Sequence, residues 1–269
     1  MKAVRIHEDG GPEVLRYEDV ADPEPGPGEV LVSLQAAGLN HLDVWVRKGL
    51  PSVPKPRILG ADGAGNVAAL GDGVHDFALG DRVVVNPGLV HDGRIRVIGE
   101  HSDGTYCELK AIPATQLYPL TDTLSFEQGA AFPLAFETAY RMLVTKAAVR
   151  EGEWVLIWGI GGGVALAAFE VCRALGARTI VTSSSREKLE RARNLGAVLA
   201  VSHSRTMSSR QFGMQRTDGV STSSSRLWAR RRGSGPWRRP RKTVASWCVA
   251  PPRGIVLQLA SIGSGGSSS

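Results

Sequence analysis

Apolar and polar residues alternate in short bursts through the first 120 or so positions. GEVLVSLQAAGL (28–39), GNVAALG (65–71) and GDRVVVNPG (80–88) are the clearest, each bounded by Gly, Pro or Asp. A period of two broken by turn residues marks half-buried strands, so this region is predicted to be an all-β domain rich in turns. Near residue 125 the period lengthens. SFEQGAAFPLAFETAYRMLVTKAAV (125–149) reads as one or two helices with a break at Pro133.

Beyond it the two periods alternate. EWVLIWG (153–159) is predicted as a fully buried strand. GGVALAAFEVCRALGA (162–177) is predicted as a helix burying Val164, Ala168, Val171 and Leu175, with Gly176 past its end. RTIVTSSS (178–185) is a second strand. REKLERARNLGA (186–197) is a second helix, with Ser184 and Glu187 spaced as a capping box, Leu189, Ala192 and Leu195 inward, and Gly196 as the stop. VLAVSH (198–203) opens a third strand. Strand, helix, strand, helix, strand is the first half of a doubly wound parallel sheet.

After Arg205 the periodicity vanishes and Ser, Arg, Gly and Pro dominate, so no core can be drawn there. This segment changes the reading of the charge. From Thr206 onward lie 11 of the 32 basic residues but one of the 26 acids (Asp218), leaving 21 bases against 25 acids before it. The net +6 therefore belongs to the tail, and the body is mildly acidic. The Arg cluster with Trp228, Trp237 and Trp247 superficially resembles a nucleic-acid groove, but such a cluster attracts phosphate in any context, and no nucleic-acid partner is expected. No stretch reads as a signal peptide or membrane span, so a cytoplasmic protein without membrane association is expected. Cys107, Cys172 and Cys248 form no CxxC pair and fit neither a disulfide framework nor a structural zinc knuckle.

The chemistry concentrates in VLIWGIGGGVALAAFEV (155–171). A strand ends, Gly159, Gly161, Gly162 and Gly163 make a turn almost free of side chains, and a helix begins at Val164. Backbone N–H groups and the positive helix end can then face a pyrophosphate. The spacing Gly159, Gly162, Ala165 is a loosened dinucleotide fingerprint; a tight crossover needed only for packing is the competing reading. Where an NAD site places an acid to hold the ribose 2′-OH, this chain has TSSSREK (182–188). Ser183 and Ser184 with Arg186 and Lys188 suit a 2′-phosphate instead, so the expected cofactor is NADP(H). Arg186 and Lys188 serve equally well as the solvated face of the second helix.

AAGLNHLDVWVRKG, ILGADGAGNVAALGDGV, GDRVVVNPG, SFEQGAAFPLAFETAYRML, the glycine turn and EKLERARNLGA together resemble the medium-chain dehydrogenase/reductase superfamily over residues 1–205. The resemblance implies a GroES-like barrel (1–124) followed by the first half of a Rossmann domain (125–205), with nicotinamide in the cleft between them. It also implies hydride transfer to a small enone, quinone or related conjugated carbonyl, and a possible homodimer. Zinc-dependent members keep a Cys where this chain has Asn40, and His followed by Glu where it has Ala61 and Asp62. With the Cys and His both replaced, no catalytic zinc is expected. By resemblance Asn40 lies beside the nicotinamide, Thr138 near its carboxamide, and Asp43 braces the Asn40 loop. Asn40 as a plain turn residue and Asp43 as a structural acceptor stay open. His41, His91 and His101 are scattered and suggest no ligand set.

The family continues with a buried strand where this chain reads TDGVSTSSSRLWA (217–229). Codons read one base earlier turn TCN serines into apolar residues and CGN arginines into Ala, Ser, Thr or Pro. Gly219–Gly254 back-reads that way as strand, helix, strand. The expectation is a frame change near Arg205, with 206–269 a disordered basic tail that supplies no strands. An inactive remnant of an oxidoreductase, acting at most as a ligand- or partner-binding module, is the alternative.

Overall fold

The computed structural model describes residues 1–91, 93–202, 247–250 and 254–257. The chain divides into two compact units, Met1–Ala139 and Tyr140–Ser269.

The first unit is built on strands and three short helices. In order these are β1 (Lys2–Ile6), β2 (Leu15–Asp19), β3 (Glu29–Gly38), α1 (His41–Arg47), β4 (Arg57–Ile58), β5 (Asp62–Leu70) and β6 (Arg82–Val85). They continue as β7 (Gly88–His91), β8 (Arg94–Val97), β9 (Leu109–Pro113), β10 (Leu117–Pro119) and α2 (Phe126–Ala130), with α3 (Pro133–Tyr140) ending the unit. The main sheet runs β10-β6-β5-β3-β9; β2-β1-β4 and the β7-β8 hairpin form two smaller sheets. The main sheet is antiparallel and open, with β10 and β9 as its edges.

Alternation decides which face is core. On β3, Val30 and Val32 are fully buried, and on β6 Val83 and Val85 are; they meet Val67, Ile98, Ile112 and Leu117. Each such burial contributes about 1.5–3 kcal/mol. A second cluster, Ile6, Val14, Val46, Val53 and Leu59, backs α1. Helix α2 lies on the main sheet through Ala130, Ala64 and Leu120. The approach is so close that a Cβ on Gly38 would sit 2.1 Å from the Ala130 carbonyl. This packing puts α2 with the first unit and not with the second, where the change of period had placed it. Periodicity reports an element's shape, but the sheet it covers is a tertiary matter. Pro133 does mark the break, as the first residue of α3.

The second unit opens with a π-helical turn, Arg141–Lys146. It continues as β11 (Trp154–Ile157), α4 (Gly163–Ala174), β12 (Arg178–Ser183), α5 (Arg186–Asn194) and β13 (Leu199–Ser202). β11, β12 and β13 are parallel neighbours in order, the half-sheet that the pattern predicts. Three details differ. Helix α4 buries Ala165, Ala168, Phe169 and Cys172, so the inward stripe is rotated by one residue and Val164, Val171 and Leu175 are half-buried at its flank. Phe169 is the reason: the largest side chain of the helix takes the centre of the interface. Helix α5 is capped by Ser185, whose hydroxyl accepts from Lys188 N–H at 3.3 Å, and not by Ser184. Leu195, read as inward, is 38% exposed at the helix end.

The tail also needs correction. Trp247–Ala250 (β14) and Gly254–Leu257 (β15) are strands, β15 parallel to β11 and β14 antiparallel at the edge. WCVA and GIVL are apolar enough to pair even inside an Arg- and Ser-rich context, and the open side of β11 offers them unpaired backbone groups. The remaining tail residues, on which the disorder expectation falls, lie outside the described residues. No helix among the described residues is long and apolar enough to cross a membrane.

Candidate functional site

The first cluster gathers where β3, α1, the start of β5 and α3 converge. Gly38 ends β3, and two residues later Asn40 caps α1 in a capping-box arrangement with Asp43. The Asn40 N–H donates to Asp43 Oδ2 at 2.7 Å, and Tyr106 Oη donates to the same oxygen at 2.8 Å. Asp43 is 5% exposed. Burial pushes its carboxyl up, while the donors Asn40 N–H, Tyr106 Oη–H and Gly60 N–H pull it back. Burial, and then the Asp43 charge, push the Tyr106 phenol well above its ordinary value. Asp43 is therefore a buried acceptor that ties the Asn40 loop to the Tyr106 segment.

The side chain of Asn40 has its own anchor. Nδ2 donates to Asp62 Oδ2 at 2.9 Å, and the other Asp62 oxygen accepts from Leu134 N–H, in the first turn of α3, at 2.8 Å. The Asp62 main-chain carbonyl accepts from Thr105 Oγ1 at 2.8 Å. Asp62 is 2% exposed; burial, and then Asp43, push its carboxyl up to about 6 against the pull of its two donors. Thr138 lies one turn further along α3 than Leu134, half-buried, so Asp62 couples the Asn40 loop to the helix that carries Thr138. The Ala61 methyl is fully buried. Among the described residues no three His, Cys, Asp or Glu side chains are grouped to hold a metal ion. Of the histidines, His101 Nδ1 accepts from Val97 N–H, and the His91 side chain lies outside the described residues.

On the outer side of α3 an apolar hollow of about 350 Å³ is lined by Val84, Tyr118, Phe132, Phe136 and Glu137. Glu137 keeps solvent exposure, yet its apolar surroundings and then Asp62 push its carboxyl up to about 7. Neither described cysteine is a ready nucleophile, since burial pushes the Cys107 thiol up to about 11 and Cys172 to about 12.

The second cluster, in the second unit, is made of backbone. β11 leads into Gly159 and Gly161, both at positive φ (+78° and +127°), and Gly162 caps α4. A Cβ at Gly159 or Gly162 would meet open space, whereas one at Gly161 would strike Lys188, 2.7 Å from Cδ and 2.9 Å from Nζ. The Lys188 ammonium thus lies over the turn at Gly161, and the N–H groups of Gly163 and Val164, in the first turn of α4, have no intrahelical acceptor. The turn is tied to β12: Gly159 N–H donates to Thr182 Oγ1 at 3.0 Å and Ile160 N–H to the Thr182 carbonyl at 2.7 Å.

The four residues expected to read the ribose are not brought together as one set. Ser183 is buried and its hydroxyl accepts from Ser185 N–H at 3.1 Å. Ser184 is exposed. Arg186 is also exposed and pairs with Glu190 at 2.9 Å along the helix, and Lys188 turns to the glycine turn. The open turn, the free first helical turn and the cation over them fit a pyrophosphate. The end of β12 carries hydroxyls and no carboxylate.

Sequence reasoning missed Asp62, Tyr106 and the glycine-turn role of Lys188. A lone acid inside the apolar run ILGADGAGNV was a usable signal for Asp62. Tyr106 and Asp43 are 63 residues apart, and nothing local links them.

Comparison with known proteins agrees with this geometry. The alcohol dehydrogenase GroES-like domain family matches residues 26–122. A quinone oxidoreductase of Pseudomonas aeruginosa is 38% identical over 219 residues, 81% of this chain and 63% of the relative. A solved NAD-dependent alcohol dehydrogenase superposes with a TM-score of 0.72 at 48% identity, covering 76% of this chain and 64% of its own. The Escherichia coli quinone oxidoreductase complexed with NADPH superposes with a TM-score of 0.65 at 32% identity, covering 75% and 58%. Over this matched part the chain belongs to the medium-chain dehydrogenase/reductase superfamily. It spans less than two thirds of the length of these relatives.

Proposed function

We propose that the chain is an oxidoreductase of the quinone oxidoreductase and alcohol dehydrogenase-like type that uses NADP(H) to reduce a conjugated carbonyl such as an enone or quinone. The observation that carries this reading is the cluster of the second unit: an open glycine turn at a helix start, with the Lys188 ammonium over it and a neighbouring strand that ends in hydroxyls. The cofactor supplies the hydride. The backbone N–H groups of the turn and Lys188 hold its pyrophosphate. Ser184 and Arg186, just past the end of β12, which itself carries no carboxylate, offer donors to a 2′-phosphate, for which Arg186 must exchange its Glu190 partner. In the first unit, Asn40 and Thr138 orient the nicotinamide and Asp43 braces the loop. Asn40 and Asp62 hydrogen-bond each other where zinc-dependent relatives place Cys and Glu, so the donor set favours a reaction without a catalytic cation.

A relative that uses NADPH and another described as NAD-dependent stand side by side among the similar structures. The strand end is what favours NADPH here. Binding is tested by fluorescence titration with NADPH and NADH, and turnover by NADPH oxidation with a simple naphthoquinone and a simple enone. Tighter binding of NADPH with measurable turnover is expected. Equal affinity for the two nucleotides would remove the case for the 2′-phosphate. The loss of apolar periodicity after Arg205 favours a second reading, a ligand-binding remnant. Binding without turnover would select it.

A further inference from the structure

We propose that Asp62 is a positioning residue for Asn40: its carboxylate decides which way the Asn40 amide faces, and taking up a proton turns that amide over. The inference rests on the reading of Asn40 as a residue of the nicotinamide site. The two oxygens of Asp62 are not equivalent. Oδ1 accepts from Leu134 N–H at 2.8 Å, and a main-chain N–H can only donate, so a proton on Oδ1 finds no acceptor in that partner and is disfavoured there. It goes to Oδ2, which now accepts from Asn40 Nδ2 at 2.9 Å. A protonated Oδ2 is itself a donor, and two donors facing each other in a buried site are unfavourable. A half-turn of the amide about the last side-chain bond relieves the conflict by bringing the Asn40 oxygen round to accept.

The surroundings make this a two-position device. Asp43 N–H donates to the Asn40 main-chain carbonyl at 3.1 Å, which fixes the loop and leaves the side-chain amide to Asp62, so the turned amide persists only while Asp62 is protonated. The groups facing Asp62 are Asn40 and Asp43 from the α1 side, Leu134 and Glu137 from α3, and Thr105 with Tyr106 from the segment before β9. Burial, and then the Asp43 charge, oppose a negative charge on Asp62, while Glu137, itself held neutral up to about pH 7, adds none there. Against these stand the two donors, Asn40 Nδ2–H and Leu134 N–H. Asp62 consequently changes charge near pH 6, and the Asn40 amide changes face in the same range. Below it the amide presents the opposite pattern of donor and acceptor to whatever lies on its half-exposed edge.

The test uses the full chain, labelled with ¹⁵N and ¹³C. The Asn40 side-chain amide signals and the Asp62 carboxyl signal are followed by NMR from pH 5 to 8. Both are expected to move together with one midpoint near 6. In Asp62→Asn the new amide keeps Leu134 N–H with its oxygen and turns its NH₂ toward Asn40, so the Asn40 signals should sit at the acid position at every pH. NADPH affinity should vary about tenfold across the range in the unmutated chain and less than about twofold in Asp62→Asn, the scale of one hydrogen bond exchanged for a repulsion. Asn40 signals that stay flat while the Asp62 carboxyl titrates, or an Asp62 carboxyl that stays ionised throughout, would overturn the inference without any variant. Coupled titration in a chain that binds neither nucleotide would uphold the Asp62 and Asn40 device and remove the cofactor reading instead.

Discussion

The two clusters are built by opposite means. In the first unit the cluster is made of side chains: Asn40, Asp43, Asp62 and Tyr106 are held by hydrogen bonds of 2.7–2.9 Å, and two of the four carry buried carboxyls. In the second, Gly159 to Gly163 contribute backbone, tied to the Thr182 hydroxyl of β12, and the Lys188 side chain arrives from the next helix. A side-chain network is sensitive to pH and to loss of one partner. A backbone cradle is indifferent to both and sensitive to a single added carbon.

The sharpest way to break that contrast is Gly161→Val. At φ +127° with the Lys188 stem 2.7 Å from a new Cβ, the variant combines backbone strain with the displacement of a cation. A loss of about 1–3 kcal/mol from the second unit is expected, with NADPH binding abolished in a fluorescence titration. Unchanged binding would mean that the turn is only a packing crossover. Next in size, Tyr106→Phe removes one donor from buried Asp43 and leaves the others. The first unit should lose about 1–3 kcal/mol in urea unfolding, with little effect on nucleotide binding at the glycine turn. Ser185→Ala removes the cap of α5 and should cost about 1 kcal/mol by the same measurement. Arg186→Ala removes an exposed pair with Glu190, and a stability change of no more than about 0.5 kcal/mol is expected. Its informative readout is the ratio of NADPH to NADH affinity, which should fall if Arg186 meets the 2′-phosphate.

The smallest effect belongs to Glu137. Its carboxyl rises from 4.5 to about 7 on folding, so the folded state favours the neutral form. That contribution to stability is complete below pH 4.5 and is lost as pH climbs through 7. Glu137→Gln should flatten the stability profile between those limits, and only slightly, because solvent reaches the residue. A steeper profile in the variant would mean that Glu137 is held as an ion.

How much of this was legible in the sequence depended on distance along the chain. The alternation in GEVLVSLQAAGL marked Val30 and Val32 as core because a strand's two faces are set by consecutive residues. The glycine turn was legible for the same reason, since strand, turn and helix are contiguous. The rotation of α4 was not: whether Val164 or Ala165 faces inward turns on where Phe169 finds room against the sheet. The cap of α5 moved from Ser184 to Ser185 because the Ser183 hydroxyl already holds Ser185 N–H, and three consecutive serines look alike until the strand end is placed. Similarly, the eight tail residues that form β14 and β15 have apolar runs too short to read as strands without the open edge beside β11.

The sequence by itself determined the two kinds of domain, their order and the glycine turn, because periodicity and local spacing encode elements and the contacts within them; Asn40 and Asp43 stood out only through the resemblance to a family. The tertiary structure decided the partnerships. Asp62 meets Asn40 across 22 residues, Tyr106 meets Asp43 across 63, and Leu134 N–H reaches Asp62 across 72. A buried carboxylate takes whichever donors folding brings to it, and that choice depends on how sheet and helices pack, which no short stretch of chain contains.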